Sequence, residues 1–143
     1  GCVVKSYLAT SQDTEQFGAK LWQVLPLKAV VFLQGDLGAG KTTLVRGFLR
    51  AGGFSGAIKS PTYTLVEEYS IGTQKIFHFD LYRLSEPEEL EWIGINDYFD
   101  QNSLCFIEWP TKGVGFLPMP DYEISLMNHG SGRQIIMQTL KNL

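Results

Sequence analysis

The sequence predicts an α/β fold: a central mixed, mostly parallel β-sheet flanked by helices, with antiparallel hairpins, as a single domain over residues 1–143. Strand-like and helix-like segments alternate along the chain, the pattern that builds parallel sheets with helical cover. "KAVVFLQ" (28–34) is a continuous apolar strand of the kind buried on both faces in α/β sheets. A glycine-rich turn joins that strand directly to a helical pattern, "TTLVRGFLRAGG" (42–53), which glycines then stop.

The remaining elements follow in order. "CVVKSYL" (2–8) alternates apolar and polar residues as a strand. "DTEQFGAKLWQVL" opens on Asp13 as N-cap and sets Phe17, Leu21, Trp22 and Leu25 on one helical face, which reads as core. "YTLVEEY" (63–69) and "KIFHFD" (75–80) flank the turn signal "SIGTQ" and form a hairpin. Ser85-Glu86-Pro87-Glu88 is a capping box that opens the short helix "PEELEWIG". "LCFIEWP" (104–110) is a buried strand ending on Glu108, and "YEISLM" and "QIIMQTL" around "NHGSG" make a last hairpin. Neither repeats nor linkers interrupt this order.

Composition narrows the function classes. With 143 residues, 44% hydrophobic and 13% aromatic, the chain has the material for a sizeable core. The net charge of −3, with only 12 Lys and Arg spread along the chain, argues against strong autonomous binding to a nucleic-acid backbone, so an RNA role needs a basic partner. Cys2 and Cys105 are too few and too distant for a disulfide framework, so a disulfide partner is not expected and a reducing cytoplasm fits. The opening "GCVVKSYLAT" lacks a basic region followed by a long apolar stretch, and Lys5 stands where a myristoylation pattern wants Ser or Thr, so no membrane association is expected. Gly1 in place of Met points to a processing or cloning scar.

The informative motif is Gly35-Asp36-Leu37-Gly38-Ala39-Gly40-Lys41-Thr42, which satisfies G-x-x-x-x-G-K-[ST] between a strand and a helix and makes the fold P-loop NTPase-like. A chance glycine-rich turn would match at a rate of roughly one in two hundred for a chain of this length. Glycines let backbone N–H groups curl toward phosphate oxygens, the helix N-terminus adds partial positive charge, Lys41 reaches the β- and γ-phosphates, and Thr42 ligates Mg²⁺. A nucleoside triphosphate and Mg²⁺ are therefore the expected ligands.

A P-loop Mg²⁺ usually takes a second acidic contact from the end of a neighbouring strand, direct or through water. Asp80 and Glu108 each end a predicted strand. One can contact the metal while the other orients the attacking water; a solvent-facing strand end is the plain alternative for both. His78, within an apolar strand, and His129, in a loop, invite no catalytic role, having no nucleophile signature nearby. Arg83 either pairs locally with Glu86 or acts near the phosphates.

Together, "GDLGAGKTTLVRGFL", "KSPTYTLVEEY", "FHFDLYRL", "EELEWIGINDYF", "IEWP" and the late "GR" resemble, in order, the bacterial TsaE (YjeE-like) family from about Leu33 to Arg133. The resemblance implies a small P-loop ATPase that works with TsaD and TsaB to make N6-threonylcarbamoyladenosine at A37 of tRNA, meeting the tRNA indirectly through the complex. It makes Gly38, Ala39, Gly40, Lys41, Thr42 and Thr43 the nucleotide cradle, Thr42 and Glu108 metal ligands, and Asp80 the essential acid near the metal. With Lys41, Asp80 and Glu108 form the catalytic set.

Thr62 sits where a switch-type loop senses the γ-phosphate, or caps the turn after Pro61. Trp109 resembles the family tryptophan beside the nucleotide, although a tryptophan after a strand is more often packing. Arg133 matches a late arginine on the base side of the nucleotide, against a solvated turn residue, and Thr10 or Ser11 matches a nucleotide contact in the opening turn. Other classes fit less well. A GTPase lacks its N-K-x-D guanine reader here, and a small-molecule kinase would need a lid and more arginines than Arg46, Arg50, Arg83 and Arg133. A nucleotide-gated adaptor that hydrolyses slowly alone is compatible with the same residues.

Overall fold

The computed structural model describes residues 2–36 and 38–140; Gly1, Leu37 and residues 141–143 lie outside the described residues. Seven strands, β1 (Val3–Leu8), β2 (Ala29–Gln34), β3 (Val66–Ile71), β4 (Gln74–Asp80), β5 (Ser103–Glu108), β6 (Tyr122–His129) and β7 (Gly132–Thr139), form one sheet in the order β1-β7-β6-β2-β5-β4-β3. The central strands β6, β2, β5 and β4 run parallel, and the edges close with the antiparallel pairs β1–β7, β6–β7 and β3–β4. The expected mixed sheet with a parallel centre and antiparallel hairpins is what the chain builds.

Two helices cover one face: α1 (Ser11–Val24) and α2 (Lys41–Ala51). Strand alternation divides the core between the faces. In β5, Leu104 and Phe106 join the cluster around Val31, Leu33, Leu44 and Phe48, whereas Cys105 and Ile107 join that around Phe77, Phe79, Leu90 and Ile95. β2 is less uniformly buried than "KAVVFLQ" suggests: Val31 and Leu33 are sealed under the helices, while Val30 and Phe32 lie partly buried against the second cluster. Among the described residues that second face carries α3 (Glu89–Trp92), α4 (Ile95–Asp100) and a 3-10 turn (Pro110–Gly113), a thinner cover than two full helices.

Helices α1 and α2 approach closely where each presents a glycine. A Cβ on Gly18 would lie 2.0 Å from the Leu44 carbonyl oxygen, and one on Gly47 would lie 1.9 Å from that of Glu15. This contact fixes α2, and with it the loop that precedes Lys41, against the sheet.

Local details depart from the sequence reading. Thr10, not Asp13, caps α1: its Oγ1 accepts the Asp13 N–H at 3.1 Å, and the Asp13 carboxylate accepts the Thr10 N–H at 3.3 Å, a reciprocal box with Asp13 as its far member. Residues 63–65 turn rather than extend, with Leu65 at φ +71°, so β3 starts at Val66; β3 and β4 meet at a two-residue turn, Gly72-Thr73. The capping box at Ser85 does not form. Instead the Glu89 carboxylate accepts the N–H groups of Ser85 and Glu86 at 2.8 and 2.9 Å, and the helix that follows is a single turn. Gly94, at φ +71°, then redirects the chain into α4, which the sequence reading missed.

Candidate nucleotide site

Because β2, β4 and β5 are parallel, their carboxyl ends lie on one edge of the sheet, the usual place for ligands in open α/β folds. The register sets Leu33, Glu108 and Asp80 in one row across the three strands. The chain leaves β2 at Gln34, runs through the glycine-rich loop and enters α2 at Lys41. Gly38 and Gly40 take φ values of +77° and +102°, a region closed to most side chains, and Gly40 is the N-cap of α2. The loop therefore presents a helix N-terminus beside two strand-end acids.

Three charged side chains are buried there: Lys41 is 5% exposed, Asp80 3% and Glu108 4%. Each is matched, as buried charge requires. The Lys41 ammonium donates to the Gly35 carbonyl at 2.6 Å, lies 3.5 Å from Glu108 Oε1 and sits 4.8 Å from the centre of the Trp109 ring. Asp80 Oδ1 accepts the Tyr82 N–H at 3.0 Å, and its Oδ2 accepts the Thr62 hydroxyl at 3.3 Å. Glu108 Oε2 accepts from His78 Nε2 at 2.5 Å. Trp109 itself is held at φ +56°, with its ring 5.0 Å from that of Tyr82.

A cleft of about 260 Å³ brings most of the expected residues together. Gly38, Gly40, Lys41, Thr42 and Thr43 line one side, and Ser60, Thr62, Asp80 and Glu108 the other. A second pocket, of about 190 Å³, opens on the far side of the same loop. Thr10, Ser11, Thr14, Ser131 and Arg133 line it, and it shares Gly38, Gly40 and Thr43 with the first. Trp109 borders neither; with Gln34, Gly35, Asp36 and Pro110 it lines a third hollow beyond Lys41. Ala39 is buried, packing its methyl into the core.

Three residues make contacts that the sequence reading did not assign. Arg133 donates through Nε to the Ala39 carbonyl at 2.9 Å and through a terminal nitrogen to that of Gly38 at 3.2 Å, clamping the loop from the hairpin. His78, dismissed as part of an apolar strand, is the hydrogen-bond partner of Glu108. Period-2 alternation already held the signal, since it places residues 78 and 80 on the same face of β4. Among the described residues Arg83 makes no ion pair with Glu86; its guanidinium lies over the Tyr63 ring at 4.3 Å, and it lines a hollow with Thr62 and Asp80.

The fold and this loop define the class: a P-loop α/β fold with its glycine-rich loop at the carboxyl edge of the sheet. The sequence profile described as "Threonylcarbamoyl adenosine biosynthesis protein TsaE" matches residues 8–135, and the chain belongs to that family. Relatives named "tRNA threonylcarbamoyladenosine biosynthesis protein TsaE" include one from Haemophilus influenzae, 51% identical over 96% of this chain and 90% of the relative. Another, from Bacillus subtilis, is 36% identical over 77% of this chain and 68% of the relative. Among solved structures, that of Bacillus subtilis YdiB superposes with a TM-score of 0.83 at 26% identity, covering 99% of this chain and 88% of that one.

Proposed function

We propose that this chain, acting as one domain over residues 1–143, binds ATP with Mg²⁺ and hydrolyses it as the ATPase of the machinery that makes N6-threonylcarbamoyladenosine at A37 of tRNA. The observation that carries the reading is the convergence of Lys41, Thr42, Thr62, Asp80 and Glu108 on one cleft around a glycine-rich helix N-terminus. The names of its relatives supply the pathway. TsaD and TsaB are the proposed partners, and they hold the tRNA that an acidic chain would hold poorly. The reading puts the protein in the cytoplasm. It agrees with two free cysteines, and among the described residues no helix is long and apolar enough to cross a membrane.

The residues present fit Mg²⁺. Thr42, Asp80 and Glu108 offer hard oxygen donors on one cleft, while no group of three His, Cys, Asp or Glu among the described residues could hold a metal alone. Mg²⁺ keeps several waters and draws on substrate phosphates, so a partial protein shell is what it takes. Thr42 and Glu108 would hold it, and when bound it neutralises charge developing on the transferred phosphoryl group.

The protein's own part follows from the geometry. Loop N–H groups and the start of α2 bind phosphate. Lys41 exchanges its Gly35 carbonyl for phosphate oxygens and stabilises negative charge as it shifts to the leaving group. Asp80, held by Thr62 and the Tyr82 N–H, orients the water that attacks in line with the departing diphosphate. Thr10, Ser11 and Arg133 border the nucleoside side, and Trp109 backs Lys41.

Among the described residues no arginine lines the phosphate cleft: Arg50 is tied to the Phe54 and Gly56 carbonyls, Arg83 to Tyr63 and Arg133 to the loop. A supplied arginine is worth three to five orders of magnitude in related phosphoryl transfers, about 10³–10⁵ in rate. The isolated chain is therefore a slow ATPase that also serves as a nucleotide-gated adaptor. Calorimetric titration with ATP and Mg²⁺ tests the site: Lys41→Ala should weaken binding about ten- to a hundredfold, since charge-assisted hydrogen bonds contribute about 1.5–3 kcal/mol. Unchanged affinity would remove the phosphate assignment.

A further inference from the structure

We infer that His78 is a positioning residue, which anchors one oxygen of Glu108 so that the other faces the metal side of the cleft; this role rests on the proposal that Glu108 serves Mg²⁺. His78 lies inside β4, fully buried, between Phe77 and Phe79, which face the opposite core cluster. A leucine or phenylalanine would fill such a place without bringing a polar ring out of water. What the imidazole gains is one hydrogen bond, from Nε2 to Glu108 Oε2 at 2.5 Å. Its Nδ1 is buried with no partner among the described residues, so the hydrogen sits on Nε2 and the ring is committed to Glu108.

The register explains how the two meet. His78 pairs with Phe106 and Asp80 with Glu108 on parallel strands, so all four side chains share one sheet face, and the longer Glu108 side chain folds back to His78. The carboxylate is then held unequally. Oε2 is anchored by a short contact inside the sheet, while Oε1 has Lys41 at 3.5 Å and keeps lone pairs free on the cleft side.

That inequality matters because Lys41 is the residue that phosphate would draw away. Once the ammonium turns to the nucleotide, His78 is the contact that keeps Glu108 in place, since its ring is fully buried on the same sheet face as Phe106. Partners of metal-ligating side chains commonly contribute about 10- to 100-fold in metal affinity.

The test is calorimetric ADP binding to the full chain across a Mg²⁺ series, with circular dichroism as the check on folding. His78→Leu is expected to reduce the gain in ADP affinity that Mg²⁺ confers by about tenfold, leaving affinity without metal unchanged. His78→Gln, whose amide can donate to the same oxygen, is expected to restore most of the gain. A purely structural role would weaken binding with and without metal alike, and would overturn the inference. If Glu108→Ala loses the Mg²⁺ gain while folded His78→Leu keeps it, the role of His78 falls and that of Glu108 stands. If Glu108→Ala keeps the gain, both fall. Should His78→Leu not fold, nitrogen NMR of the wild-type ring decides: a proton on Nε2 with Nδ1 bare supports the anchoring bond, and the opposite tautomer contradicts it.

Discussion

The two pockets on either side of the glycine-rich loop are built from opposite materials. The cleft at the ends of β4 and β5 encloses Lys41, Asp80 and Glu108, all nearly out of water. The pocket toward the β6–β7 hairpin is edged by Thr10, Ser11 and Ser131, exposed and uncharged, with Arg133 clamped onto loop carbonyls. Buried charge is expensive and survives only with close partners, so the first side is organised by chemistry. The second holds the loop in shape and can tolerate change.

This contrast gives a graded series of outcomes. The largest effect is expected at Asp80: Asp80→Asn should lower kcat for ATP hydrolysis by about a hundredfold or more, in the range of positioned acid–base groups, while ATP affinity stays near wild type. An equal loss of binding would mean that Asp80 holds the cleft rather than orients water. Arg133→Ala should weaken nucleotide binding only about three- to tenfold, the scale of one or two partly exposed hydrogen bonds, with kcat little altered. If it stopped turnover as Asp80→Asn does, the division between the two sides would be wrong.

The smallest effect lies away from both pockets, at Cys105, whose burial pushes its thiol up to about 11. The thiolate is the reactive form, so at pH 8 an alkylating reagent should label exposed Cys2 and spare Cys105 in the folded protein, as peptide mass mapping would show. Because the folded value lies above the ordinary 9.0, the stability from keeping this thiol neutral is complete below about pH 9 and is lost as pH rises toward 11. Equal labelling of both cysteines at pH 8 would show that this core face opens readily.

The parts of the site legible in the sequence were those whose chemistry is written locally. The spacing of Gly35, Gly40 and Lys41 carries the cradle, and an apolar run that stops on a carboxylate marks Asp80 and Glu108 as strand ends. Less legible was whatever depends on which strand lies beside which. The pairing of β4 with β5, which joins His78 to Glu108, is a tertiary fact, as is the hairpin placement that brings Arg133 to Ala39. Short-range misreadings had a different cause. Asp13 is a good cap residue, yet Thr10, three residues upstream, accepts the Asp13 N–H and starts the helix earlier, and Glu89 rather than Ser85 satisfies the turn before α3.

The central claim is that the buried cleft hydrolyses ATP on behalf of a partner complex. The most direct measurement is steady-state ATP hydrolysis with Mg²⁺ by the purified chain, alone and with TsaD and TsaB, with Lys41→Ala alongside. A slow rate that the partners change and that Lys41→Ala abolishes is the predicted result. Turnover that is the same with and without them, or that persists in Lys41→Ala, would contradict it.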